Sequence, residues 1–308
     1  MVIKINYKLA GIFLAVAIVA GVALNFVGSA YSSGRGTVQT GASEQGVELP
    51  ILMYHHILEK SKLLGKFTIT PGEFEKDLQF IQQNGYTTIS INELIAYSEG
   101  TGQLPEKPIL ITFDDGYLSF YHFAYPLLQK YNMKAVLSII GVHSQKFSET
   151  DDAGINYAHV TWDEVKEMND SGLVEIENHT YNMHTNDKGR KGCRIKAGES
   201  DDAYKAMFKE DVGKLQDKLR EILGEPPTTF TFPFGYVCSQ ADEIVKEMGF
   251  KVTLSCQEKL NYIEPGQPDQ LYRLNRFNRP HDRSTEAFFK YVLKKSQYTG
   301  KNALGPAA

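Results

Sequence analysis

From Leu49 onward, short apolar runs alternate with stretches in which apolar residues recur at the three- and four-residue spacing of amphipathic helices. The runs predict strands at Ile51–Tyr54, Thr87–Ile89, Ile109–Phe113, Ala135–Ile140, Leu173–Ile176, Thr228–Phe232, Lys251–Leu254 and Leu271–Phe277. Between them lie helix signals. Thr70-Pro71-Gly72-Glu73 carries capping-box spacing with proline at the first helical position, and Gly85 closes that helix. Ser90 with Glu93, and Thr161 with Glu164, repeat the spacing. A long helix is predicted from about Asp201 to Leu223, stopped by Gly224 ahead of Pro226 and Pro227. Another follows Ser239 and ends at Gly249, and a last one covers Thr285 to Lys294. Such alternation predicts parallel βα units. Their number favours an α/β barrel of seven or eight units over residues 49–296, and no solenoid repeat interrupts it.

The first residues follow another pattern. Lys4 and Lys8 precede an apolar run, Leu9 to Val27, broken only by glycines and Asn25. The run is long enough to span a bilayer, and the lysines favour an N-in, C-out orientation. Residues 1–27 are therefore a signal peptide, with Gly28, Ser29 and Ala30 as processing site, or an uncleaved anchor, which the length favours. A buried core helix is set aside, because the segment is uncapped and apolar on every side. Residues 28–48, rich in Gly, Ser, Thr and Gln, are expected to be a flexible linker, and 297–308 a disordered tail. Either reading of the N-terminus puts the rest of the chain outside the cytoplasm, attached to the membrane or secreted.

The 308 residues are 42% apolar with a formal charge of -4, a globular composition outside the disordered range. The mild acidity argues against a nucleic-acid binder, which needs a basic surface. Cys193, Cys238 and Cys256 show no spacing of a disulfide framework or cysteine zinc site.

In a barrel, chemistry gathers where the strands end and the βα loops converge. Here the polar residues fall at those ends: His55 and His56, Asp114 and Asp115, His179, Pro233-Phe234-Gly235 and Arg276. Two adjacent carboxylates closing an apolar strand are costly to desolvate without a cation. One can bind a metal while the other reaches a water; with equal weight, Asp-Gly is ordinary turn chemistry that caps the next helix. His179 and His184 are five apart, which on a helix puts them roughly 140° apart, unsuited to a helical zinc site. A strand end that loops back brings both imidazoles to one ion, although two unrelated loop histidines are the commoner explanation. With an aspartate from another strand they make a three-ligand catalytic metal site. His55 has the titration range of a general acid, against the plainer reading of a hydrogen-bonded core histidine; His56 alternates to the other side and keeps the plainer reading.

Residues 49–296 resemble the polysaccharide deacetylase (NodB-type) family, carbohydrate esterase family four, through TFDDGY at Thr112–Tyr117, HTYNMH at His179–His184 and FPFG at Phe232–Gly235. Two departures from the commoner family pattern resemble its poly-N-acetylglucosamine deacetylase branch. The second histidine lies five rather than four residues after the first. No C-terminal Leu-x-His motif is found, His281 standing instead in an Arg-Pro-His context, so that the histidine of an N-terminal Tyr-His motif takes the acid's place. The resemblance implies a distorted (β/α) barrel, a divalent metal (zinc expected) on Asp115, His179 and His184, Asp114 as general base and His55 as acid. It further implies a substrate-side wall at Phe234, Gly235 and Tyr236 that supplies a backbone N–H to the oxyanion, and an arginine, Arg276 or Arg279, paired with the base.

The expected activity is N-deacetylation of a cell-surface polysaccharide by a monomer. Peptidoglycan is put slightly ahead of poly-N-acetylglucosamine, because no second glycan domain accompanies the barrel. O-acetyl esterase work and a non-catalytic glycan-binding module are the rivals; the intact set of five residues argues against the latter. The basic stretch Lys188 to Lys196 is read first as a solvated loop and second as a groove for an anionic glycan. Trp162 and the many tyrosines are read mainly as core.

Overall fold

The computed structural model describes residues 46–187 and 189–294. The expected signal or anchor (1–27), most of the expected linker (28–48) and the expected tail (297–308) lie outside the described residues. Among the described residues no helix is long and apolar enough to cross a membrane.

Twelve short strands are described: β1 (Val47–Leu49), β2 (Ile51–Tyr54), β3 (His56–Ile57), β4 (Thr68–Ile69), β5 (Thr87–Thr88), β6 (Pro108–Phe113), β7 (Ala135–Ile139), β8 (Val174–Asn178), β9 (Thr229–Thr231), β10 (Val252–Leu254), β11 (Asn261–Ile263) and β12 (Phe277–Asn278). Val47 and Glu48, at the end of the expected linker, already belong to β1, which pairs antiparallel with β11. The main sheet is parallel throughout, in the order β10-β9-β8-β7-β6-β2-β12, with β5 pairing the start of β6. Every residue of β2, β6, β7, β9 and β10 is buried, as continuous apolar runs require when both faces of a parallel sheet are covered.

The edges of this sheet meet through one segment. Leu274 donates to Thr253 O (2.8 Å), Ser255 to Leu274 O (2.9 Å) and Arg276 to Gln257 O (2.9 Å), while Phe277 and Asn278 pair with Leu52 and Met53 of β2. The segment changes partner midway and completes a distorted barrel. The strand expected over Leu271–Phe277 is broken for that reason. It opens as a 3-10 turn, Pro268–Leu271, and Arg273 has a positive φ of 62°, so regular strand is confined to Phe277–Asn278.

Alternation along β6 sorts its side chains. Ile109, Ile111 and Phe113 pack outward against helix residues such as Phe74, Leu78 and Phe120, whereas Leu110 packs inward with Ile51, Val136 and Leu254. Thr112 and Asp114 continue the inner face, as do Met53 within β2 and His55 just beyond it. The three expected capping boxes are present, at Thr70/Glu73, Ser90/Glu93 and Thr161/Glu164, and the long helix spans Asp201–Leu223 with Gly224 at its end. The short helix Gly141–Ser148, which carries no capping box, is not among the expected elements.

Candidate active site

The site is built where β2, β6, β8 and β9 end. Asp115 leaves β6 with a φ of 73°, followed by Gly116 at 76°. A Cβ on Gly116 would stand 2.9 Å from Ile139 Cγ2, so the chain turns here against the neighbouring strand. The turn separates the two carboxylates: Asp114 keeps the inward direction of its strand, and Asp115 swings towards β8.

β8 runs two residues past the expected end, to Asn178, so His179 follows it directly. Thr180 then takes a φ of 75°, its N–H donating to Asn178 Oδ1 (2.9 Å). Asp211 of the long helix accepts the N–H groups of Tyr181 (2.9 Å) and Asn182 (2.9 Å), and Thr180 Oγ1 accepts that of Met183 (3.2 Å). So pinned, the loop carries His184 back to His179. The Nε2 atoms of His179 and His184 lie 3.5 and 3.4 Å from Asp115 Oδ1, and one ligand atom from each residue falls within 4.8 Å of the others.

These residues fit a cation. His179 Nδ1 lies 2.7 Å from Thr231 O; a carbonyl only accepts, so Nδ1 carries the proton and Nε2 of the neutral ring presents a lone pair. Asp115 Oδ1 is buried with no hydrogen-bond partner. Burial opposes charge on Asp115, but His179 and the neighbouring imidazoles hold its carboxyl below the ordinary range. Burial and nearby His179 push His184 down to about 4, leaving a neutral ring able to ligate. One hard carboxylate oxygen and two imidazole nitrogens facing each other form a catalytic zinc-type donor set.

Asp114 sits beside this set in different company. Arg276 grips it with two parallel hydrogen bonds, Nη1 to Oδ1 at 2.6 Å and Nη2 to Oδ2 at 2.8 Å, and its Nε donates to Ser255 O (2.8 Å). Burial raises the carboxyl, but the guanidinium outweighs it and holds Asp114 below its usual range. His55 Nε2 is 4.0 Å from Asp114 Oδ2, and its ring leans on Phe67 at 4.8 Å. Burial, partly offset by Asp114, lowers the His55 pKa.

Of the two candidate arginines, Arg279 belongs elsewhere. It is three residues beyond Arg276, so alternation sends it to the outer face, where Nε and Nη2 meet Asp77 of the helix Pro71–Gln83 at 2.7 and 3.2 Å. Of the expected substrate wall, Phe234 lines the cleft, 43% exposed, with its ring 4.2 Å from that of His184. Gly235 packs against Cys256, and Tyr236 stands beside Phe234 at 5.6 Å. The N–H groups of Gly235 and Tyr236 donate to Phe232 O (2.9 Å) and Pro233 O (3.0 Å); the turn that presents Phe234 uses them itself. His56 borders the cleft but is hydrogen-bonded within the fold, its Nδ1 2.6 Å from Ser119 Oγ, and His281 contacts Glu73 (2.8 Å).

The cleft has a volume of about 920 Å³, with His55, Asp114, Asp115, His179 and His184 among its walls. Phe67, Cys256 and Asp211 were not singled out in the sequence; a lone exposed aromatic, a lone thiol and an aspartate inside a helix carry no local signal. Arg276→Met is expected to destabilise the fold by about 3–5 kcal/mol, because it strands a buried carboxylate without its counter-charge. Urea titration against the parent protein measures this, and a loss under about 1 kcal/mol would contradict the buried pairing.

A family model described as polysaccharide deacetylase matches residues 101–253. The poly-beta-1,6-N-acetyl-D-glucosamine N-deacetylase of Staphylococcus aureus (strain MRSA252) is 27% identical over 206 residues, 66% of this chain and 66% of that protein. The match thus spans just under two thirds of the curated relative. The solved structure of IcaB from Ammonifex degensii aligns with 80% of this chain and 97% of its own at a TM-score of 0.65 and 26% identity. A de-N-acetylase from Aggregatibacter actinomycetemcomitans aligns with 80% and 100% at 0.69 and 25%.

Proposed function

As this chain belongs to the polysaccharide deacetylase family, we propose that it hydrolyses the acetamide groups of a poly-N-acetylglucosamine at the cell surface. The name of the curated relative favours poly-N-acetylglucosamine over peptidoglycan, the reverse of the order expected from the sequence. One observation carries the reading. Asp115, His179 and His184 converge within 4.8 Å, beside a second carboxylate that Arg276 keeps ionised.

Asp115, His179 and His184 would hold the divalent cation, with zinc our proposal from the donor set. Bound there, it would polarise a carbonyl oxygen and acidify a water. Asp114, ionised and inward-facing, takes the proton of the attacking water. His55 delivers a proton to the leaving nitrogen, which an amide needs because its amine is a poor leaving group. The net transfer runs from water to amine, and the 4.0 Å between Asp114 and His55 keeps both of its ends in one cleft. Phe234 offers an apolar face to a sugar ring.

We also propose that the domain acts as a monomer outside the cytoplasm, attached through the apolar segment Leu9–Val27 or released after cleavage near Ala30.

His55→Ala is expected to slow amide hydrolysis by about 10²–10⁴-fold while costing less than about tenfold on an aryl acetate, whose leaving group needs little protonation. Equal losses on both would count against the acid role. For the function itself, mass spectrometry of products from poly-N-acetylglucosamine and from wall glycan should show acetyl loss from the first. Acetyl loss from wall glycan alone would restore the earlier order, and loss of O-linked acetate alone would make the protein an esterase.

A further inference from the structure

The basic stretch after His184 has no part in the reaction above. Its arginine Arg190 is no solvated charge: it is 9% exposed, and its guanidinium grips Glu199, Nη1 to Oε2 at 3.1 Å and Nη2 to Oε1 at 2.7 Å. The same guanidinium donates to Arg194 O (3.0 Å), and Glu199 Oε2 also accepts the N–H of Lys196 (2.9 Å). A single ion pair thus ties four points of one short segment. Tyr204 of the long helix adds a hydrogen bond from its hydroxyl to Cys193 O.

What this staple fixes lies next to the metal-ligand set. Gly192 donates its N–H to Thr185 O (2.8 Å), one residue past His184. Its φ is +52°, and a Cβ there would stand 2.9 Å from Pro233 O and 3.4 Å from Phe234 Cδ2. Arg194 stacks on Tyr236 at 4.8 Å, and Tyr236 stands beside Phe234. The segment therefore backs the turn that presents Phe234, from one side through a glycine and from another through a cation–π contact. A partly buried ion pair is weak evidence for stability, and this one joins residues only nine positions apart, so its loss should loosen the segment locally.

We propose that residues 189–199 are a positioning element for the substrate wall: the Arg190–Glu199 pair holds Gly192 and Arg194 against the Pro233–Tyr236 turn and so keeps the Phe234 ring beside His184. Arg190, Gly192 and Glu199 are positioning residues. The inference rests on the reading of Phe234 as a sugar-facing wall.

The test uses the full chain carrying Glu199→Gln, Gly192→Ala, or the exchanged pair Arg190→Glu with Glu199→Arg. Amide hydrogen exchange at Gly235 and Tyr236 is measured alongside kinetics on a long N-acetylglucosamine oligomer and on a small aryl acetate. The first two variants should exchange faster at both amides and raise KM for the oligomer about tenfold, with kcat and aryl acetate turnover within about twofold of the parent. The exchanged pair restores the ion pair but neither the bond to Arg194 O nor the one from the Lys196 N–H, so it should recover only part of the loss. Unchanged exchange in both single variants overturns the proposal, as do equal losses on oligomer and aryl acetate, which mark a merely structural segment. If the parent leaves every glycan untouched, the deacetylase reading fails, and the exchange measurement still decides the positioning role.

Discussion

The Asp115→Asn variant is expected to lose its bound divalent ion and to fall by about 10³-fold or more in deacetylation, since the ion is asked to supply several kcal/mol and each ~1.4 kcal/mol is tenfold in rate. Asparagine keeps the shape of the side chain and removes the charge that two neutral imidazoles need for company around a dication. Chelation and dialysis of the parent should produce the same loss, and added zinc should restore the parent but not the variant. Metal analysis of both proteins checks this. A variant with full metal and full activity would remove Asp115 from the ligand set.

Asp114→Asn should behave differently, and the contrast separates the two adjacent carboxylates. This variant should retain its metal, because Asp114 is engaged by Arg276 rather than by the imidazole pair. Its kcat should nonetheless drop by about 10²–10⁴-fold, the usual weight of a general base. Asparagine accepts only one of the two guanidinium hydrogen bonds, so a measurable loss of stability should accompany the loss of rate. Full activity with the metal in place would end the assignment of the base.

How much of this was legible in the sequence differs by element. The strands that form the barrel wall were read to within one or two residues at most ends, because a fully buried parallel strand is apolar throughout and bounded by turn signals. The capping boxes were equally plain, their spacing being local. The last strand was not. It changes partner midway, from β10 to β2, and the break at Arg273 answers to barrel closure, which no local pattern encodes. The site divides in the same way. The residues of the cleft stood out because they are polar and end apolar runs. The sequence leaves the choice between Arg276 and Arg279 open, since one lies within and the other just after the same run, and only the phase of alternation in the folded strand separates their partners. The N–H groups of Gly235 and Tyr236 illustrate a further limit: the motif marks the turn, but whether its amides face a substrate or close the turn depends on backbone geometry. The composition of the basic stretch predicts a solvated loop, whereas Arg190 is buried against Glu199. A charge run shows its composition in sequence and its partners only in three dimensions.

The most direct test is a crystal structure of the zinc-loaded protein with anomalous scattering recorded at the zinc edge. One peak should stand among Asp115, His179 and His184, within about 2.0–2.2 Å of a carboxylate oxygen and of both Nε2 atoms. A peak coordinated elsewhere, or those three side chains found apart with no ion among them, would contradict the account.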